Sequence, residues 1–243
     1  MPPPRVLART AGLLYLLLAL FGGFAIAVRS AVIVPGDAAA TAESIRDSAT
    51  LFRIGFVSDL VANTCFLLTA MALYLLLKHV NQLVAAAMVT LVAVSAAIGA
   101  LNLLNQYTAL TIATGAYLGS FEEAGADGLT LLFVDAFDNG YTLNAMFYGP
   151  WLIPLGYLVI KSGYFPKVLG GLLIAGCIAY LTLLFTTFLA PEAGPGSESV
   201  LGAVSGIPEL AFMAWLLIRG VRVPATALPI PPIPSKAHPQ VPR

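Results

Sequence analysis

The sequence predicts an all-α fold, a polytopic membrane bundle of six transmembrane helices with both termini cytoplasmic. Three observations carry that expectation. Of 243 residues 59% are hydrophobic and 10% charged, where ordinary soluble domains carry about 25% charged residues. Uncharged runs of about 20 residues recur, the length a helix needs to cross a hydrocarbon layer about 30 Å thick. Charge is also sorted along the chain, although the formal net charge is zero, with 12 basic and 12 acidic residues.

The first span is expected at 10–33. Arg5 and Arg9 precede it as they would in a secretory signal, but the apolar run from Ala11 to Val28 outlasts the about 7 to 15 residues of a signal core, so it reads as a retained helix. In PGDAAATAESIRDSATLF, Asp37 is a candidate N-cap for a short interfacial helix over about 37–50, with Glu43, Arg46 and Asp47 at helical pairing distance. Spans two and three follow at 51–77 and 83–110, joined by the short turn KHVNQ. Span four, 128–160, is longer than a straight crossing needs, and Gly140, Gly149, Pro150, Pro154 and Gly156 predict a kink beside its acids. KSGYFPK leads into span five at 165–190, where Pro166 suits the first turn. Span six is expected at 199–219, with Glu209 beside Pro208. Residues 1–220 thus form one transmembrane domain, and 221–243 a proline-rich disordered cytoplasmic tail.

Orientation follows from the charges. With the N-terminus inside, cytoplasmic segments carry Arg5, Arg9, Lys78, Lys161, Lys167, Arg219, Arg222, Lys236 and Arg243, and the external side only Arg29, Arg46 and Arg53. Asp37, Glu43, Asp47, Glu122, Glu123, Asp127, Glu192 and Glu198 then fall in external loops, and no acid falls in a cytoplasmic segment.

Several chemistries are disfavoured. Cys65 and Cys177 sit in apolar runs with no basic or metal-binding neighbour, as small buried hydrophobes do. One of the two histidines, His238, is in the tail, so no zinc site is expected. No metal ligand, catalytic residue or cofactor is assigned. The basic residues are scattered at span boundaries and form no patch for nucleic acid.

Four acids remain inside spans: Asp59, Asp135, Asp138 and Glu209. Each, if ionised at the bilayer centre, costs about 2.5 to 3.5 kcal/mol on insertion scales. Asp59 and the Asp135–Asp138 pair lie at similar depth, roughly 12 Å below the outer edge at 1.5 Å per residue. Asn102, Asn105 and Gln106 reach the same level from span three. Asp135, Asp138, Asn139 and Thr142 share one side of a helix, as do Asp59 with Asn63 and Asn102 with Asn105 and Gln106. Such stripes are expected to turn inward, away from lipid. The candidate ligand-binding set is therefore Asp59, Asp135, Asp138 and Glu209 for charge, Asn102, Asn105 and Asn139 for hydrogen bonds, and Arg53 with the interfacial helix as a gate. Arg29 is a second guanidinium near the same level, while Asn144 points elsewhere as a packing contact. Read alone, the asparagines equally suit helix glue.

Three functions stay open. One is binding or transport of a small polar or cationic ligand in an outward-facing acidic pocket, for which six spans are few unless the chain forms a homo-oligomer. Another is an intramembrane hydrolase using a carboxylate pair, for which Asp59 with Asp135 is a better facing dyad than Asp135 with Asp138 on one helix. The last is a structural or accessory subunit. The lipid bilayer is the one partner that all three share.

The segments VPGDAAATAESI, LFRIGFVSDL, LYLLLKHVN and GYTLNAMFYGPWLIPLGYLVIKSGYFPKVLGGLLIAG resemble the multi-pass bacterial membrane proteins grouped as DUF4386, a domain of unknown function. The most specific part is the run Ser162, Gly163, Tyr164, Phe165, Pro166, followed by Leu169 and Gly170. The resemblance covers nearly the whole chain apart from the tail. It implies a six-span bundle in a bacterial plasma membrane and carries no catalytic residues with it.

Overall fold

The computed structural model describes residues 2–115, 122–190 and 195–222, the side chains of 195–204 apart, and the described chain is all-helical. In order it runs α1 (Pro4–Val32), α2 (Ala38–Asp47), α3 (Ala49–Leu77), α4 (Gln82–Ala113), α5 (Glu123–Tyr148), α6 (Leu152–Lys161), α7 (Lys167–Leu189) and α8 (Pro195–Ile218). Among the described residues five stretches are long and apolar enough to cross a membrane: α1, α3, α4, α7, and α5 with α6 taken as one run. The described apolar part of α8, Ser205–Ile218, is shorter. Of the proline-rich tail, residues 223–243 lie outside the described residues, as do Glu192 and the side chain of Glu198.

Local chemistry sets the helix starts. A proline stands in the first turn of α1, where its missing N–H costs nothing. The Asp37 carboxylate caps α2 by accepting the Ala40 N–H at 3.0 Å, and the Asn81 side chain caps α4 by accepting the Val84 N–H at 3.1 Å. In α8 the helix runs on through Pro208. The kink expected beside Asp135 and Asp138 is found elsewhere: the helix carries on past both acids and breaks at Gly149–Trp151. Gly140 fills a packing role instead. Pro150 offers no N–H to the ladder, and at Gly149 a Cβ would stand 2.8 Å from the Ala145 carbonyl oxygen and 3.1 Å from Tyr180 Cβ.

Close packing at small residues joins the bundle, as expected where lipid removes most of the hydrophobic drive between helices. A Cβ on Gly156 would lie 2.6 Å from the Gly170 carbonyl oxygen, and one on Gly170 would lie 2.5 Å from that of Gly156. The backbones of α6 and α7 therefore touch at this crossing. Gly12 of α1 receives Leu216 of α8, and Gly55 of α3 receives Val28 of α1, with built Cβ distances of 3.0 and 3.1 Å.

Two apolar cores result. The larger surrounds Trp151 and holds Tyr15, Phe66, Leu73, Leu155 and Phe212, drawn from α1, α3, α6 and α8. The smaller lies under α2, around Ile45, Phe52, Val28 and Val134. Arg46 pins α2 across that end by donating from Nε to the Ala113 carbonyl at 2.9 Å and from Nη2 to Asp127 at 2.9 Å. This tertiary pair takes the place of the expected pairing within the short helix. At the opposite end, the Arg222 N–H donates to the Tyr164 carbonyl at 3.1 Å, tying the end of α8 to the turn between α6 and α7.

Candidate functional site

Arg29, in the last turn of α1, is 8% exposed. Its Nη1 donates to Asp59 Oδ2 on α3, and its guanidinium carbon lies 4.7 Å from the centroid of the Phe137 ring on α5. Removing one partner of such a buried pair leaves a bare charge, which costs about 3 to 5 kcal/mol. The contact uses one nitrogen and one carboxylate oxygen, so both groups keep hydrogen-bonding capacity.

Around the pair, asparagines clasp neighbouring helices in a repeated geometry. Asn63 of α3 lies over Gly99 of α4 and donates to the Ala96 carbonyl at 2.7 Å. Asn102 of α4 lies over Gly140 of α5 and donates to the Phe137 carbonyl at 2.8 Å. In each case the glycine stands three residues after the accepting carbonyl, and its missing side chain uncovers that carbonyl. Asn105 supports the second clasp by donating to Asn102 Oδ1 at 3.0 Å. Asn144 of α5 returns a bond to the Ser95 carbonyl of α4 at 3.1 Å.

A cavity of about 130 Å³ opens against these groups, lined by Arg29, Asp59, Asn63, Asn102, Asn144 and Tyr141 and by the apolar Leu18, Phe66 and Phe137. Leu18, Gly22, Ile26, Phe66 and Tyr141 also wall a second cavity of about 360 Å³, so the two adjoin along α1. Glu209 sits in the second, accepting the Tyr180 hydroxyl at 2.8 Å and the Tyr15 hydroxyl. Asn144, in the wall of the first cavity, has no hydrogen-bond partner for its Oδ1 among the described residues, and neither amide atom of Gln106 on α4 has one.

The residues singled out from the sequence are thus distributed unevenly. Asp59 and Asn102 line the first cavity, Asn105 stands behind Asn102, and Glu209 lines the second cavity. Asp135, Asp138 and Asn139 are exposed and line neither. The inward turn expected of their stripe is not adopted, because α5 buries the other face, through Ala126, Thr130, Val134, Phe137 and Ala145. The facing Asp59–Asp135 dyad is accordingly not formed. Arg53 is exposed on α3, and Arg29 meets Asp59 instead. Asn144 is a packing contact and also walls the first cavity.

Sequence reasoning missed the tyrosines. Tyr15 and Tyr180 each place a hydroxyl deep in an apolar run, and a buried hydroxyl needs a partner. That signal pointed to Glu209 and was available. Among the described residues, no three His, Cys, Asp or Glu side chains cluster closely enough to hold a metal ion.

The chain belongs to the family described as "Domain of unknown function (DUF4386)", whose model matches residues 10–220. It is 34% identical over 88 residues to an uncharacterised protein of Archaeoglobus fulgidus, a match that covers 36% of this chain and 48% of that protein. The chain thus spans about half the length of that relative. No solved structure matches it.

Proposed function

We propose that this member of the DUF4386 family is a six-span protein of a bacterial plasma membrane, both termini cytoplasmic, that binds a small polar ligand in the cavity between α1, α3, α4 and α5. One observation carries the reading: the buried Arg29–Asp59 pair faces a void instead of dry packing. Arg29 already neutralises Asp59, so the cavity presents a dipole more than a net negative charge. A zwitterion, with a cationic group for the free carboxylate oxygen and an acceptor for the free guanidinium N–H groups, satisfies both poles. Asn63, Asn102 and Asn144 then set its orientation. A simple cation gains less here than it would beside an unpaired aspartate.

Asp135, Asp138 and Asn139 stand outside the cavity in this reading, on the side of α5 opposite its buried stripe. Arg53 takes the same outer position on α3.

The experiment is thermal unfolding of the purified protein in detergent against a panel of amino acids, betaines, amines and divalent ions. A stabilising zwitterion whose effect disappears in the double variant Arg29→Met/Asp59→Leu supports the site. That pair of changes removes both charges together, so the fold is kept. A panel without effect on the wild-type protein, or an effect that persists in the double variant, refutes it. A second reading, a structural subunit, is favoured by the asparagine clasps, whose amides bond neighbouring helices. A partner that co-purifies in fixed stoichiometry would select it.

A further inference from the structure

Glu209 differs from Asp59 in one decisive way. Among the described residues no basic side chain reaches it, and none lines the cavity that holds it. Its two hydrogen bonds come from tyrosine hydroxyls, which leave the charge of an ionised carboxylate unbalanced. Beside aliphatic and glycine positions of α1 and α8, the wall carries six aromatic rings in two groups. Tyr15 and Phe66 pack against Trp151 with ring centroids 6.1 and 5.1 Å apart. Tyr141 and Tyr180 pack against Tyr148 at 5.8 and 5.1 Å. Glu209 bridges them, because Tyr15 belongs to one group and Tyr180 to the other. The open cleft, about 360 Å³, falls at the lower end of the roughly 300 to 1,000 Å³ typical of small-molecule pockets.

A carboxylate with no cation of its own, beside a cluster of aromatic rings, is the chemistry that holds quaternary ammonium ions. Such ions have no N–H to donate, shed water easily, and are attracted to the faces of rings within about 6 Å. We propose that the Glu209 cavity binds a quaternary alkylammonium group, either as a free ion or as the headgroup of a lipid. The site is reached beside Gly23, Ile26 and Leu210, where α1 and α8 leave exposed residues in its lining. At Gly23 and Gly206 a Cβ would meet nothing within 4 Å, so glycine keeps these positions open without being needed for packing. The cavities share Leu18, Gly22, Ile26, Phe66 and Tyr141, but this inference rests on Glu209 and the rings around it, not on Arg29 and Asp59, so either reading can fail alone.

The test is binding of tetramethylammonium chloride to the purified full chain by calorimetry, with ammonium chloride as comparison, in parallel with thermal stability in nanodiscs of phosphatidylcholine or phosphatidylglycerol. Saturable tetramethylammonium binding at least tenfold tighter than that of ammonium supports a free-ion site. Stabilisation by phosphatidylcholine over phosphatidylglycerol, without binding of the free ion, supports the headgroup source. In either case Glu209→Gln and Tyr148→Leu should weaken the effect at least tenfold, Tyr148→Phe should preserve it, and Gly23→Leu should block it while the protein stays folded. The proposal is overturned if neither the free ion nor the choline lipid distinguishes itself, or if binding survives both Glu209→Gln and Gly23→Leu.

Discussion

The clasp of Asn102 over Gly140 makes a quantitative prediction. A Cβ built on Gly140 stands 2.1 Å from Asn102 Oδ1, 2.7 Å from its Cγ and 3.0 Å from its Nδ2. Gly140→Ala therefore expels the amide. Two hydrogen bonds go with it, to the Phe137 carbonyl at 2.8 Å and from Asn105 at 3.0 Å. Side-chain bonds between membrane helices average about 0.6 kcal/mol and reach about 1.7 kcal/mol. A displaced amide that finds no new partner costs about 1 to 3 kcal/mol. Alanine returns about 0.5 to 1 kcal/mol over glycine within a helix. The net expectation is a loss of about 1 to 2 kcal/mol. Asn102→Ala alone should cost about as much through the lost bonds, but in that background the alanine at position 140 no longer clashes. The double variant should thus be no less stable than Asn102→Ala, and the two changes strongly non-additive. The assay is reversible unfolding in mixed micelles, read by fluorescence of Trp151 and Trp215. Gly99→Ala, where the nearest Asn63 atoms stand at 3.3 Å, should cost less than Gly140→Ala, and Gly128→Ala, with nothing within 4 Å, should be neutral or stabilising. Additive costs for positions 102 and 140, or a Gly128→Ala variant as damaged as Gly140→Ala, would refute the clasp.

Other expectations follow from the same geometry. Arg29→Met should cost about 3 to 5 kcal/mol by stranding Asp59, whereas Arg29→Met/Asp59→Leu should recover most of that loss in the same unfolding assay. Gly156→Ala should be more damaging than Gly140→Ala, since its Cβ would meet the Gly170 backbone oxygen at 2.6 Å and backbone cannot swing aside; expression and monodispersity on size exclusion would show it first. Asp37→Ala should remove the cap of α2 at a cost of about 1 kcal/mol, seen as faster amide exchange over residues 38–47.

Composition made the fold class readable before any coordinate. Long uncharged runs must be helices in lipid, because no other open backbone can satisfy its own polar groups there. Span ends were readable to within several residues, since Asp37, Pro166 and the cluster around Gly149 act locally. The kink was misplaced for a tertiary reason: Gly140 lies beside the acids, but what it accommodates is a side chain from α4, and a glycine alone does not reveal whether a helix bends or a neighbour approaches.

The site was legible only by residue type. Periodicity correctly placed Asp135, Asp138 and Asn139 on one side of a helix, but a stripe has no label saying which way it faces. For α5 the answer lies in the opposite stripe of small and apolar residues, which packs against α2 and α4. The cost of a carboxylate among apolar residues has several remedies, and this chain uses three of them. Asp59 takes an arginine from α1, Glu209 takes two tyrosine hydroxyls, and Asp135 and Asp138 stay exposed. The first remedy cancels charge, the second only hydrogen-bonds it, and the third leaves the acids on the side of α5 opposite its buried stripe. A common acidic chamber would have required the same remedy for all four. The difference is why the proposal gives an incoming cation to Glu209, which has no basic partner among the described residues, and not to Asp59, which has Arg29.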